Sequence, residues 1–331
     1  MKRLQAEITI NETIFNGVNS VDISSGWDFL TDTCTVLIPN KFKRENKNIT
    51  VGEDGFFKRG DEITVKLGYF PNKEIRFQGF IRKISVNDLI TIECEDLAFK
   101  LKQEAITKSF KATSLTEFIK GITNVKFEAV DSQLGRFRIS NSTPAKVLGE
   151  LKETYGLISY IKDKVLRVGL AYYDVDTITH NFTLDGQGAN VVSSNLEFVD
   201  SSELNIVVSG ESKQRNGTII LRYAYYEADI IKLTSVKPTN GNFDTVQIPE
   251  QNEKDLDNFI KNHLENRLST GVKGSITAFL EPKVIHGDYV TIHSRKFPEK
   301  EDTYRVKSVK TTFSIGGGGR QEIELERKKS K

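Results

Sequence analysis

The sequence predicts a mainly β protein with α+β insertions: two similar antiparallel β-barrel domains of tube type, plus small α/β domains. Three observations predict it. Many short segments alternate apolar and polar residues with period two, helix signatures are confined to three segments, and a stretch of 27 residues near the start returns near the end. The chain has 331 residues, enough for two or three domains, and its 37% hydrophobic and 28% charged residues are a globular composition. Lys and Arg number 47 against 45 Asp and Glu, a net charge of +2. No basic cluster forms a nucleic-acid patch or a polybasic anchor. No run of about 20 apolar residues could span a membrane, and MKRLQAEITI lacks the apolar stretch of a signal peptide.

The first hundred residues read as strands. Gln5 to Ile10 and Cys34 to Ile38 alternate, and Glu62 to Leu67 places Ile63, Val65 and Leu67 on one face. A turn at Tyr69 to Lys73 leads into Arg76–Val86. After Asn87-Asp88 comes Leu89–Glu95, where Ile90, Ile92 and Cys94 share a face. From Ser109 the period changes. Ser114-Leu115-Thr116-Glu117 is a capping box that opens a helix through Ile122. A second helix is capped by Thr143, starts with Pro144, presents Val147, Leu148, Leu151 and Tyr155 on one face, and stops at Gly156. Leu157–Ile161 and Val165–Val168 form a strand pair. Strands return with Leu204–Gly210 and Thr218–Tyr226, and Pro238–Gly241 reads as a loop. A third helix runs from Gln251 to Leu268 with Leu256, Phe259, Ile260 and Leu264 on one side. The last sixty residues are strands.

Residues 59–85 and 286–312 align at a constant offset of 227 without a gap. Gly60/Gly287, Asp61/Asp288, Thr64/Thr291, Phe70/Phe297, Pro71/Pro298, Lys73/Lys300, Glu74/Glu301 and Lys83/Lys310 are identical. That is 8 of 27 positions where about two arise from residue frequencies. Ile90–Glu93 recurs as Ile323–Glu326, the extra length being held by the Gly316–Gly319 loop. Two hairpins with like entry turns would give part of this pattern; two copies of one β-barrel domain give all of it. The resulting domains are 1–105, a first β-barrel; 106–170, a small α/β domain with two helices; and 171–331, a second β-barrel with a helix-containing insertion around 216–270. Gly60, Asp61, Gly287 and Asp288 are assigned as structural turn residues.

Chemical motifs are sparse. His180, His263, His286 and His293 lack metal-ligand spacing and read as solvated surface residues, and Cys34 and Cys94 read as small buried hydrophobes. Leu184–Gly188 and Gly316–Gly319 do not lead into helices, so neither is a phosphate cradle. Glu93, Glu95 and Asp96 end a strand, and Asp54, Asp61 and Asp88 fall at turns, where Asp bonds local backbone. Arg59-Gly60-Asp61 has the integrin tripeptide form, but its counterpart keeps only Gly-Asp, as a strand-entry turn would. Five Asn-x-Ser/Thr sequons, at Asn11, Asn48, Asn141, Asn181 and Asn216, are expected by chance in an Asn- and Thr-rich chain. No catalytic, cofactor-binding or metal residue is assigned, no cofactor is expected, and the chain reads as a non-enzyme.

The ordered motifs carry a resemblance. Gly60–Val65, then Phe77-Gln78-Gly79-Phe80-Ile81, then Thr91–Asp96 form one group. Pro144–Leu151 with Tyr155-Gly156-Leu157, Leu166–Gly169, Leu204–Gly210, and Gly287–Ile292 with Tyr304-Arg305-Val306 and Phe313-Ser314 follow in order. The set resembles the baseplate hub, or late-control-D-like, tail proteins of contractile bacteriophages and related injection particles, and the N-terminal part of type VI secretion spike proteins. That resemblance implies a homotrimeric ring in which two like domains per subunit make a pseudo-sixfold collar between a hexameric tail tube protein and a trimeric central spike protein. It implies a tail baseplate location after assembly in the bacterial cytoplasm, and a separate spike chain, since this one ends at Lys331. No membrane and no specific nucleic-acid binding is implied, although DNA or an effector would pass through the ring. Two alternatives stay open from the residues alone: a carbohydrate- or receptor-binding β-module using the 20 Phe and 10 Tyr, and a tail-associated cell-wall hydrolase using two carboxylates.

Overall fold

The computed structural model describes residues 3–44, 47–50, 57–130, 133–169, 177–199, 205–214, 216–227, 230–248, 252–267 and 271–328. Asp54, Leu204, Gln251, Leu268 and Lys331, named above, lie outside the described residues. The chain opens with β1 (Leu4–Ile10), β2 (Thr13–Phe15), β3 (Ser20–Gly26), β4 (Thr33–Pro39), β5 (Lys41–Arg44), β6 (Lys47–Thr50), β7 (Glu62–Tyr69), β8 (Asn72–Val86), β9 (Leu89–Glu95) and α1 (Ala98–Leu101). It continues through β10 (Ile106–Ser114), α2 (Leu115–Ile122), β11 (Phe127–Ala129), β12 (Gln133–Ser142), α3 (Pro144–Tyr155), β13 (Ile158–Lys162), β14 (Val165–Gly169), β15 (Thr179–Thr183), β16 (Val191–Ser194) and β17 (Glu197–Val199). Then follow β18 (Ile206–Lys213), β19 (Ile219–Glu227), β20 (Ile230–Thr234), β21 (Asn242–Ile248), α4 (Glu253–Arg267), β22 (Gly271–Ala278), β23 (Tyr289–His293), β24 (Asp302–Ser314) and β25 (Gly318–Lys328). The protein is mainly β, with α/β insertions.

Contacts gather the chain into two compact units, Met1–Lys100 with Asp174–Leu196 and Gly274–Lys329, and Leu101–Tyr173 with Glu197–Lys273. A 14-stranded sheet runs in the order β16-β22-β25-β24-β3-β4-β9-β8-β7-β1-β2, with β23 and then β15 branching from β24 and β17 pairing with β22; all but β17 and the start of β22 fall in the first unit. Period-two alternation is the reason these segments are strands. Ile8, Ile10, Ile63, Val65, Leu67, Ile90 and Ile92 are at most 1% exposed, while the intervening Glu7, Thr64, Lys66 and Thr91 stand on the wetter face. Each such side chain contributes roughly 1.5–3 kcal/mol of gross burial free energy.

The second unit is built from local helix signals. In α2, Ser114 accepts from the Glu117 amide and Glu117 reaches back to the Ser114 amide, which satisfies two orphan donors. α3 is capped by Thr143, begins at Pro144 and ends at Gly156 with φ 65°. β11 pairs in parallel with β14, which pairs antiparallel with β13. The order β20-β19-β18-β21 forms a four-stranded sheet whose β18–β21 pair is parallel. Against it packs α4, through Leu256, Phe259, Ile260 and Leu264 onto Val208, Ala224 and Ile248. Arg222 on β19 grips Asp257 with two bonds of 2.6 and 2.7 Å.

Candidate functional site

The duplicated turn is the best-defined constellation. At Gly60, φ is 93°, and at Gly287 it is 84°, a left-handed backbone that favours glycine. Gly60 donates to the Ile81 carbonyl and Gly287 to the Val306 carbonyl, both at 2.8 Å. Ile81 donates back to the Asp61 carbonyl and Val306 to the Asp288 carbonyl, at 2.9 and 2.8 Å. The side chains repeat as well: Asp61 Oδ2 accepts from the Lys58 amide at 2.9 Å, and Asp288 Oδ2 from the Ile285 amide at 3.2 Å.

These bonds correct the gapless alignment. The turn keeps the offset of 227, but Ile81 corresponds to Val306, an offset of 225. The two copies build their hairpins differently. β7 and β8 meet in a tight turn at Tyr69 and Asn72, whereas β23 and β24 are joined by residues 294–301, which contain a 3-10 turn at Pro298–Lys300. Phe77/Tyr304 and Lys83/Lys310 are therefore not structural equivalents. Past this point the copies run together again. A β-bulge falls between Ile81 and Lys83 and another between Val306 and Ser308, and in each the bulged cation, Arg82 or Lys307, pairs with an acid on the next strand, Glu93 or Glu324. Register through β9 and β25 makes Ile92 equivalent to Ile323, and through β4 and β22 makes Val36 equivalent to Ile276. The closing-strand match shifts in the same way, so Glu93 corresponds to Glu324.

The copies also diverge. β1 pairs antiparallel with β7, but β15 pairs in parallel with β23. The parallel strand brings His180 beside the second turn, where its Nε2 lies 2.9 Å from Asp288 Oδ2, and the Ile178 amide donates to Asp288 Oδ1 at 3.3 Å. This overturns the expectation of solvated histidines for two of the four: His180, on β15, and His286, in the β22–β23 connection, are buried, at 9% and 4% exposure. His263 is half-buried 3.1 Å from Asp244, and His293 is exposed.

The remaining polar groups are tied into local structure. Asp185 accepts from Ser294 Oγ and the Arg295 amide, and the Ser294 bond foremost holds its carboxyl below the usual range. Asp96 caps α1 through the Ala98 amide at 3.0 Å. Along the cleft lined by Ser24, Asn195, Ser275, Lys310, Glu322 and Glu324, Glu322 accepts from Ser275 and Glu324 from Lys307 and Ser308. Cys34 and Cys94 are opposed across β4 and β9 as buried free thiols, and burial pushes Cys94 up to about 12. Among the described residues no group of three or more His, Cys, Asp or Glu is placed to hold a metal ion, and no helix is long and apolar enough to cross a membrane.

What the strand order offers instead is edges. Gly79, in the Phe77–Ile81 motif, lies so near β9 that an added Cβ would be 2.8 Å from the Glu95 carbonyl carbon, which explains glycine there. Sequence reasoning missed the junction β3–β24, which fuses the two copies through seven register pairs from Ser308↔Gly26 to Ser314↔Ser20. Edge pairing between distant strands leaves no short motif; only the alternation of β3 could have hinted at it.

No family model matches the chain, and no curated protein matches it in sequence. Solved structures do. A tail protein from Neisseria meningitidis superposes with a TM-score of 0.67 at 15% identity, over 98% of this chain and 97% of that one. The 43 kDa tail protein of prophage MuSo2 from Shewanella oneidensis gives 0.60 at 14% identity, over 98% of both chains. An Escherichia coli component of the type VI secretion system, described as structurally similar to the T4 tail proteins gp27 and gp5, gives 0.58 at 8% identity, over 98% of this chain and 77% of that one. At such identities the shared property is the fold, and the chain has the fold of phage tail proteins and of a type VI secretion component.

Proposed function

We propose that the protein is a structural hub of a phage tail baseplate or related contractile injection particle. Three copies close a ring in which each contributes two like sheet domains, around 1–105 and 171–331, with 106–170 and the insertion around 216–270 set apart from the duplicated strands. The ring adapts a hexameric tail tube to a trimeric spike, and it works without catalysis. The observation that carries this reading is the duplication itself: turn, bulge, ion pair and strand register recur, so one chain presents two like elements, and three chains present six. Similarity of fold to tail proteins and to a secretion component supports the same reading. Gly60, Asp61, Gly287 and Asp288 act structurally, setting where each second strand begins.

Light scattering of the purified protein should give three times the 37.4 kDa chain mass, and electron-microscope images should show a ring with six similar lobes. A monomer at high concentration overturns the ring.

A further inference from the structure

The Gly316–Gly319 loop, a spacer by sequence, borders a cavity of about 440 Å³ walled by Leu4, Tyr69, Phe279, Glu281, Gly319 and Arg320. The walls come from strands far apart in the sheet order. Leu4 and Tyr69 are register partners on β1 and β7, while Phe279 and Glu281 belong to the β22–β23 connection and Arg320 to β25. The connection is held in place by two side chains. Gln321, 0% exposed, donates to the Phe279 and Pro282 carbonyls at 2.8 and 2.6 Å and accepts from the Val284 amide at 3.3 Å. Arg76 on β8 donates through Nη2 to the Leu280 carbonyl. Glycine at 319 lets β25 come close, since a Cβ there would stand 2.6 Å from Leu280 Cδ1 and 3.1 Å from Leu4 Cδ1.

Two guanidinium groups stand in or beside this cavity. Arg320 lies over the Phe279 ring, 4.6 Å from its centroid, and among the described residues bonds only the Gly319 carbonyl, through Nη1 at 2.8 Å. Arg76 has Nε and Nη1 buried without a hydrogen-bond partner among the described residues. Burial works against its charge and lowers its pKa, opposed by Glu74, Glu281 and Tyr69, of which the last two line the cavity. Unmet buried donors are costly, and in a native fold they point to a group that meets them. The rest of the lining is apolar or aromatic, with Phe279 46% exposed, and the volume lies within the range of about 300–1,000 Å³ that small ligands occupy.

We propose that this cavity binds a carboxylate carried on an apolar body, its oxygens taken by donors of Arg320 and Arg76 and its body laid against Leu4, Tyr69 and Phe279. A planar guanidinium fork matches a carboxylate, and Glu281 in the lining favours a monoanion over a phosphate dianion. Every residue of the site lies in one compact unit of one chain, so the site stands whether or not the chains close a ring.

The test is calorimetric titration of the full-length protein with hydrocinnamate and with its neutral amide. The acid should bind saturably, one per chain, and the amide about tenfold or more weaker, because its charge-assisted bonds are lost. Arg320→Gln should weaken the acid by about the same factor without changing the melting temperature, and so should Arg76→Gln where it folds. Lys310→Gln, which removes a charge from the other cleft, should leave binding as it was. The tripeptide Gly-Gly-Phe separates two sources of the group: tighter uptake than hydrocinnamate assigns the end of a polypeptide, and weaker uptake assigns a free acid. Equal binding of acid and amide, wild-type affinity in Arg320→Gln, an equal loss in Lys310→Gln, or no saturable uptake of either acid or tripeptide overturns the proposal.

Discussion

Single side chains in this protein matter through the backbone donors they satisfy. Asp288 is 1% exposed and accepts from the Ile178 and Ile285 amides besides meeting His180, whereas Asp61 makes the local bond to Lys58. Removing Asp288 strands buried donors, so Asp288→Ala should cost about 2–4 kcal/mol in a denaturant melt and Asp61→Ala about 1 kcal/mol. Equal losses would refute the difference. Asp32 offers a pH signature. Burial raises its carboxyl from 3.8 to about 7, against the opposing bonds from Ser25 and the Gly26 amide. The folded state therefore keeps a proton that the unfolded chain releases near pH 4, so stability falls as pH rises from about 4 to about 7 and is level above. Asp32→Asn should abolish that slope; a wild-type-minus-variant difference constant across the window would count against it. Sequence reasoning places Asp61 and Asp288 at turns because Gly-Asp is a local signal. It misplaces His180 and His286, since burial is decided by long-range packing and not by a local signal.

At the scale of elements, legibility follows locality. Thr143, Pro144 and Gly156 each act within one turn of α3, and the predicted bounds are the observed ones. The parallel pairs β11–β14 and β18–β21 are invisible to such reading, because a parallel partner is chosen by packing and not by a turn. The hairpin slip has a similar cause: Phe-Pro occurs in both connections and holds the alignment in step where the strands are not. α4 provides the test at this scale. Gly210 lies beneath it, and a Cβ there would stand 2.5 Å from Ile260 Cγ2 and 2.9 Å from Leu256 Cδ1. Gly210→Val should undock the helix, reducing its protection from amide exchange and costing roughly 1–3 kcal/mol. Unchanged protection along Glu253–Arg267 would show that the contact is slack.

For the whole molecule the decisive fact is how far apart in sequence the joined strands lie. Gly26 meets Ser308 across nearly the entire chain, so long-range pairing dominates and folding should be slow for its size. A chain cut after Lys283 lacks β23, β24 and β25 and leaves the outer edge of β3 without its partner. Its soluble yield in cell extracts should collapse relative to the full chain, as bare edges aggregate. A truncated product as soluble as the full chain would mean that β3 is protected some other way. Strand order at this scale was outside the reach of motif reading; the duplication was within it, because the Gly-Asp turn is retained at both sites.

The internal β3–β24 ladder also bears on the kinetics of assembly. In the proposed ring, three of the six seams between like domains are already closed inside single polypeptides, at an effective concentration fixed by the fold and not by the cell. Only three bodies must then meet where six separate domains would otherwise have to. Nucleation becomes lower in molecular order, and partial rings are fewer. Dilution should therefore delay ring formation less steeply than it would for an assembly of six independent lobes.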